Sequence, residues 1–158
     1  MPADTFAVRP IGFVRSPVKE PVDAGWGDVE ARIELLPEYR GGLRGLDEFS
    51  HVLVVAWLHQ AAFDPARHLQ RRPRGQADMP LLGIFAQRAK DRPNPLGITV
   101  VSLVGVDVDG LRVRGLDAID GTPILDLKPY FPDFDAAAQA RVPEWVARLM
   151  QGLSLIHI

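Results

Sequence analysis

The sequence predicts a mainly β fold: a single compact β-barrel, or a strongly curved sheet, with a few short peripheral helices and no Rossmann fold. Three observations predict it. Six runs rich in Val, Ile, Leu and Phe, "FAVRPIGFVRS", "EARIELL", "HVLVVAWLH", "LLGIFAQR", "ITVVSLVGVDV" and "LRVRGLDAI", are bounded by Gly, Pro or Asp as strands are. Asp109-Gly110 separates the last two runs and reads as a tight hairpin, because Asp-Gly suits the positive φ of a two-residue turn. The strand–helix alternation and Gly-rich phosphate turn of a doubly wound fold are both missing.

In chain order, the first two runs read as strands, and "PEYRGGLRGLDEF" reads as one short turn or helix broken by its glycines. "HVLVVAWLH" is apolar on both alternating faces, so it belongs in the middle of the sheet. "DPARHLQ" reads as a short helix with Asp64 as cap before Pro65. In "VPEWVARLMQG", Pro143 is the expected first helical residue, Trp145, Val146 and Leu149 form an inward stripe, and Gly152 sits just past the stop. Residues 1–152 are expected to form the barrel domain, and 153–158 to be a tail of non-native origin.

At 158 residues with 47% hydrophobic and 24% charged side chains, the composition is that of one soluble domain. A net charge of −2 excludes a uniformly basic surface, so any nucleic-acid contact must be a local patch. Without cysteine there is no disulfide, thiolate metal site or thiol nucleophile, which fits a cytoplasmic protein. The longest apolar stretch, Val52 to Leu58, is far too short to span a bilayer as a helix, so no membrane partner is expected. The four histidines lack ligand spacing, so no metal is expected, and no serine sits in a nucleophile elbow.

Polar clusters mark the ends of the apolar runs. His59 and Gln60 close the central run, and read either as hydrogen-bonded structural residues or as donors and acceptors of a site. "FAQRAKDRPNPLG" carries Arg88, Lys90 and Arg92 on a loop stiffened by Pro93 and Pro95, either a solvated rim or the wall of a site. In "LDAIDGTPILDLKPY", Asp126 and Lys128 alternate with Leu125 and Leu127, with Tyr130 next on the same face if the extension survives Pro129. Such an Asp–Lys pair is either a surface ion pair or an acid and base serving one site. "ARHLQRRPRG" gathers Arg67, Arg71, Arg72 and Arg74, either a patch for phosphates or a solubilising loop.

The strings "IGFVRSPVK", "GLDEFSHVLVVAWLH", "GIFAQRAKDRPNPLGIT" and "LDAIDGTPILDLKPY" together resemble the TsaA-like, or TrmO, family of S-adenosylmethionine-dependent tRNA methyltransferases, in matching order over Ile11 to Tyr130. The resemblance implies a β-barrel homodimer with S-adenosylmethionine near the subunit interface. It also implies methylation of the exocyclic nitrogen of threonylcarbamoyladenosine beside the tRNA anticodon. By motif, the cofactor falls against His59, Gln60, Arg88, Ile98 and Arg114, Gly115, Leu116 and Asp117, with Gly25, Trp26 and Gly27 contributing from the loop after "SPVKEP". His59, Arg88 and Asp117 are then expected at a common barrel mouth. Asp126, Lys128 and Tyr130 become the catalytic candidates, able to take a proton from the base or to hold its side group. Arg67, Arg71, Arg72, Arg74, Arg92 and Asn94 become the substrate-binding candidates, with Asn94 holding the loop and Arg92 facing cofactor or tRNA. The resemblance leaves open a different acceptor, or a binding module that has lost catalysis.

Overall fold

The computed structural model describes residues 4–19 and 28–157, with side chains as far as Gln151. Its strands are β1 (Gly12–Arg15), β2 (Glu30–Leu35), β3 (His51–Trp57), β4 (Gln70–Arg71), β5 (Leu82–Gly83), β6 (Leu96–Val106), β7 (Gly110–Arg114) and β8 (Pro123–Pro129). Its α-helices are α1 (Pro65–His68), α2 (Pro132–Asp135) and α3 (Glu144–His157), and 3₁₀ turns fill Pro37–Leu43, Leu46–Glu48, Pro73–Gly75 and Ile84–Ala86. Six strands close an all-antiparallel barrel in the order β1-β2-β7-β6-β3-β8, and β4 pairs with β5 in a separate two-stranded arm.

Alternation explains the closure. Val52, Val54 and Ala56 point inward from β3 and meet Val14, Ile33, Val101, Leu111, Val113 and Ile124, all essentially inaccessible to water. Six strands enclose less room than the eight that just admit side chains, so this interior is packed solid and no ligand enters it. β6 is long enough to serve two neighbours. Leu96–Ser102 pair with β3, while Ser102–Val106 pair with β7 across a register shift between Leu103 and Gly105.

Several expectations change. "FAVRPIGFVRS" yields only the four residues of β1, because Phe6 and Val8 stay exposed before the chain joins the barrel. "LLGIFAQR" is not a barrel strand: only Leu82–Gly83 pair, and the chain then coils into the turn at Ile84–Ala86, where buried Ile84 anchors it. "DLKP", by contrast, belongs to β8, which lies between β1 and β3, and Tyr130 follows directly after it. Asp109 and Gly110 do form the β6–β7 hairpin end, but neither has positive φ. Gly110 is required for close approach instead: a Cβ there would meet the Ile33 carbonyl oxygen at 1.9 Å.

Asp64 caps α1 as expected, accepting from the Ala66 amide at 3.1 Å. Pro143 stands just ahead of α3 rather than inside it, its carbonyl accepting from the Val146 amide at 3.1 Å. Trp145, Val146 and Leu149 are half-buried on one face of that helix. Gly152 does not end α3, which continues through Gly152 to His157. A helical glycine costs only about 1 kcal/mol relative to alanine, too little to stop a helix already propagating.

Candidate functional site

The carboxyl ends of β1, β3 and β7 and the amino ends of β2, β6 and β8 lie at one end of the barrel, because every pairing is antiparallel. His59 and Gln60 leave β3 there, the Arg88–Asn94 loop enters β6 there, and Arg114–Asp117 leave β7 there. The packed interior removes the idea of a mouth. What these segments share is the rim and the outer wall.

The wall can be read row by row from the register. Trp57 lies opposite Leu96; Val55 lies between Asp126 and Ile98; Leu53 lies between Lys128 and Val100. In the next row His51 pairs with Ser102, which pairs with Arg114, which pairs with Glu30. Tyr130 joins that row through its amide, donated to the His51 carbonyl at 3.1 Å, with the two rings edge to face at 6.2 Å. All of these side chains face outward, since their neighbours in sequence fill the core.

Arg88 is exposed and fixed by one hydrogen bond, from its Nη2 to the Ile98 carbonyl at 3.2 Å. Among the described residues its guanidinium makes no second hydrogen bond or ion pair, and Ile98 itself is exposed. Asp126 and Lys128 form an ion pair at 3.2 Å, so the extension does survive to Pro129. Asp126 stands two strands from Ile98, about 10 Å away. Arg114 is further off, four residues along β6 from Ile98 and one strand over, about 14 Å. Its Nη2 lies 3.5 Å from Glu30.

Beyond Arg114, Gly115 takes φ of 91°, a left-handed conformation natural to glycine, and its amide donates to the Val29 carbonyl at 3.0 Å. Asp117 is exposed, whereas Leu116 is buried in the core, so only its backbone can face a ligand. Gly25, Trp26 and Gly27 lie outside the described residues.

The Pro-rich loop is held differently from the expectation. Arg92, not Asn94, holds it: the half-buried guanidinium donates to the Gln87 and Ala89 carbonyls at 2.9 and 3.1 Å, while Asn94 is exposed. Gln87, buried, donates through Nε2 to the Arg71 and Leu82 carbonyls at 2.8 and 2.9 Å and so fastens the β4–β5 arm to the loop. On that arm Arg67 and Arg74 are exposed, Arg71 is half-buried, and Arg72 donates to the Met79 carbonyl. Arg74 and Gly75 both take positive φ, 54° and 66°, which turns the tip sharply.

Two features carried no expectation. The wall of β3 and β6 is apolar and open: Leu96, Ile98 and Val100 are 42%, 54% and 45% exposed, beside half-exposed Leu53, Val55 and Trp57. The two apolar faces of "HVLVVAWLH" were its signal, one face for the core and one for this wall. Asp91 is the second, a half-buried carboxylate in the stiff loop. Grooves occur elsewhere, one of about 440 Å³ between Arg72, Asp78, Met79, Trp145 and Arg148, another of about 390 Å³ between Val8, Pro10, Leu36 and Tyr39. Neither includes a cofactor candidate. Among the described residues no cluster of His, Asp and Glu could hold a metal ion, and no helix is long and apolar enough to cross a membrane.

Known proteins match this arrangement. The family model of the tRNA-methyltransferase O N-terminal domain matches residues 15–136. An S-adenosyl-L-methionine-binding protein of Archaeoglobus fulgidus is 36% identical over 84% of this chain and 94% of its own. The tRNA (adenine(37)-N6)-methyltransferase of Escherichia coli is 37% identical over 81% of this chain and 59% of its own. A crystal structure of TrmO from Pseudomonas aeruginosa superposes with a TM-score of 0.73 at 35% identity, covering 91% of this chain. The chain spans 63% of that solved chain.

Proposed function

Because the chain belongs to the family of the tRNA-methyltransferase O N-terminal domain, we propose that it is an S-adenosylmethionine-dependent methyltransferase acting on tRNA, at the exocyclic nitrogen of threonylcarbamoyladenosine beside the anticodon. The observation that carries this reading is the coupling of Arg88 to the Ile98 carbonyl, in the same wall row as Asp126 and two strands from it. A guanidinium fork beside an apolar side chain suits an amino-acid carboxylate next to a sulfonium chain. Asp117 suits a ribose hydroxyl or an adenine amine, and the backbone at Gly115 suits an adenine edge. The donor set therefore fits S-adenosylmethionine.

When bound, S-adenosylmethionine supplies an electrophilic methyl group. The protein's part is alignment and exclusion of water, since the displacement is in line and charge disperses as the nitrogen lone pair attacks. His59, Gln60 and Arg88 hold one end of the cofactor, and Arg114 to Asp117 receive the other. Asp126, paired with Lys128, accepts the proton lost from the nitrogen, or with Tyr130 grips the polar side group of the base. A base beside the anticodon is single-stranded, so it can be turned into such a site without opening a duplex. Arg67, Arg71, Arg72 and Arg74 meet the RNA phosphates, and Asn94 contacts the substrate from the loop.

One protomer offers a wall rather than a pocket. A homodimer built on the apolar β3–β6 face supplies the missing cover and puts the cofactor near the subunit interface, in the cytoplasm where tRNA is modified. Calorimetric titration with S-adenosylmethionine tests the site. Arg88→Ala is expected to weaken binding about 10- to 100-fold, the value of one lost charged hydrogen-bond partner; unchanged affinity removes Arg88 from the site.

A further inference from the structure

The turn carrying His59 and Gln60 and the loop carrying Arg88 and Arg92 come from different parts of the sequence, yet they must hold a fixed separation. The barrel ladder fixes them only up to the Leu58 amide, which donates to the Pro95 carbonyl at 2.8 Å. Beyond that point Asp91 joins them. Its Oδ1 accepts from the Ala62 amide at 3.0 Å and lies 3.2 Å from Lys90 Nζ. Among the described residues no other hydrogen bond joins residues 59–64 to residues 88–94.

The other oxygen faces α1. Oδ2 of Asp91 lies 3.9 Å from Nε2 of His68, a ring only 12% exposed and packed against Phe63. Nδ1 of His68 accepts from the Asp64 amide at 2.8 Å, so in the neutral ring the proton sits on Nε2, toward Asp91. One carboxylate thus touches the turn, the stiff loop and the helix that leads into the arginine-bearing arm. Burial pushes the pKa of Asp91 up, toward the neutral form, but the Ala62 amide, Lys90 and His68 outweigh it and hold the carboxyl below its ordinary range.

We propose that Asp91 is a positioning residue for the cofactor site, locking the His59–Gln60 turn against the Arg88 loop so that both present their donors to one ligand. The assignment rests on the methyltransferase reading. Its geometry predicts that the hydrogen bond to Ala62 matters more than the charge, because the backbone link sets the separation and the ion pairs only strengthen it.

Two full-length variants test this, Asp91→Ala and Asp91→Asn, with S-adenosylmethionine and unfractionated tRNA as the substrates. Asp91→Ala is expected to raise the KM for the cofactor about 10-fold or more, leaving the KM for tRNA within about 2-fold. Asp91→Asn keeps an oxygen that accepts from Ala62 and is expected to recover most of the loss. Amide exchange gives a readout independent of activity: the Ala62 amide speeds up in Asp91→Ala and not in Asp91→Asn, while the β3 and β6 amides stay protected. Wild-type kinetics in Asp91→Ala, equal losses in both variants, or equal increases in both KM values would overturn the proposal. Absence of cofactor binding by the wild-type protein would instead sink the methyltransferase reading, and the exchange experiment would still decide whether Asp91 is the joint.

Discussion

Val100→Asp isolates the open wall from the rest of the fold. Val100 is 45% exposed on β6, opposite Leu53 and pointing away from the core. Full burial of an aliphatic side chain is worth about 1.5–3 kcal/mol. With Leu96, Ile98 and Val100 roughly half exposed, covering them contributes about 1 kcal/mol each, about 3 kcal/mol per protomer and about 6 kcal/mol for a two-fold pair. Association itself costs at least about 4 kcal/mol, so the margin is thin and depends on Leu53, Val55 and Trp57 as well. An aspartate removes one contribution from each protomer and places two desolvated charges in the interface. The dimer dissociation constant is expected to rise at least about 100-fold, with an unchanged far-ultraviolet spectrum because nothing inward has moved. Sedimentation from about 1 to 100 μM reads the result. A dimer in Val100→Asp as tight as in wild type, or a wild type that is monomeric throughout, would refute the use of this face.

Other consequences follow from single contacts. Gly110→Ala forces a methyl group into the Ile33 carbonyl and should cost about 1–3 kcal/mol by urea denaturation, without changing the m-value. Gln87→Ala leaves the part-buried carbonyls of Arg71 and Leu82 without the Gln87 amide, and should expose the arm between residues 70 and 83 to limited proteolysis well before the barrel is cut. Asp107 is held well below the ordinary carboxylate range by the hydrogen bonds from Arg32, one of 2.7 Å, and Asp120 is held low by Lys19 and the Ser16 amide. A lowered folded-state value means that the stabilisation is present above the unfolded value and is lost as pH falls through the folded one. Acid unfolding below about pH 4 should therefore be less steep in Asp107→Asn than in wild type, as followed by circular dichroism.

The barrel was legible because its strands obey simple alternation. β3 and β2 could be bounded within about two residues from apolar pattern alone, and Asp64 before Pro65 announced the cap of α1. β8 was harder, since Asp126 and Lys128 make its outer face polar, prolines stand at both of its ends, and only Ile124 and Leu127 mark the inner face. "LLGIFAQR" misled in the opposite direction: its apolar residues serve a buried anchor at Ile84 and an arm, neither of which leaves a periodic trace. At Asp109-Gly110 the turn was right and the cause was not, because close approach of β2 is a tertiary fact that no local propensity encodes. The same limit applies to the site. Arg88 and Asp126 stood out by chemistry, but that they share one outer wall depends on the register of β6, and the roles of Arg92 and Asp91 depend on which backbone groups they reach.

The central question is whether this wall supports methyl transfer to RNA. Purified protein incubated with methyl-labelled S-adenosylmethionine and total tRNA, followed by nucleoside analysis, should place the label on threonylcarbamoyladenosine when the tRNA comes from cells that make that group, and nowhere when it comes from cells that do not. Tight cofactor binding with no label in any nucleoside from either source would contradict it.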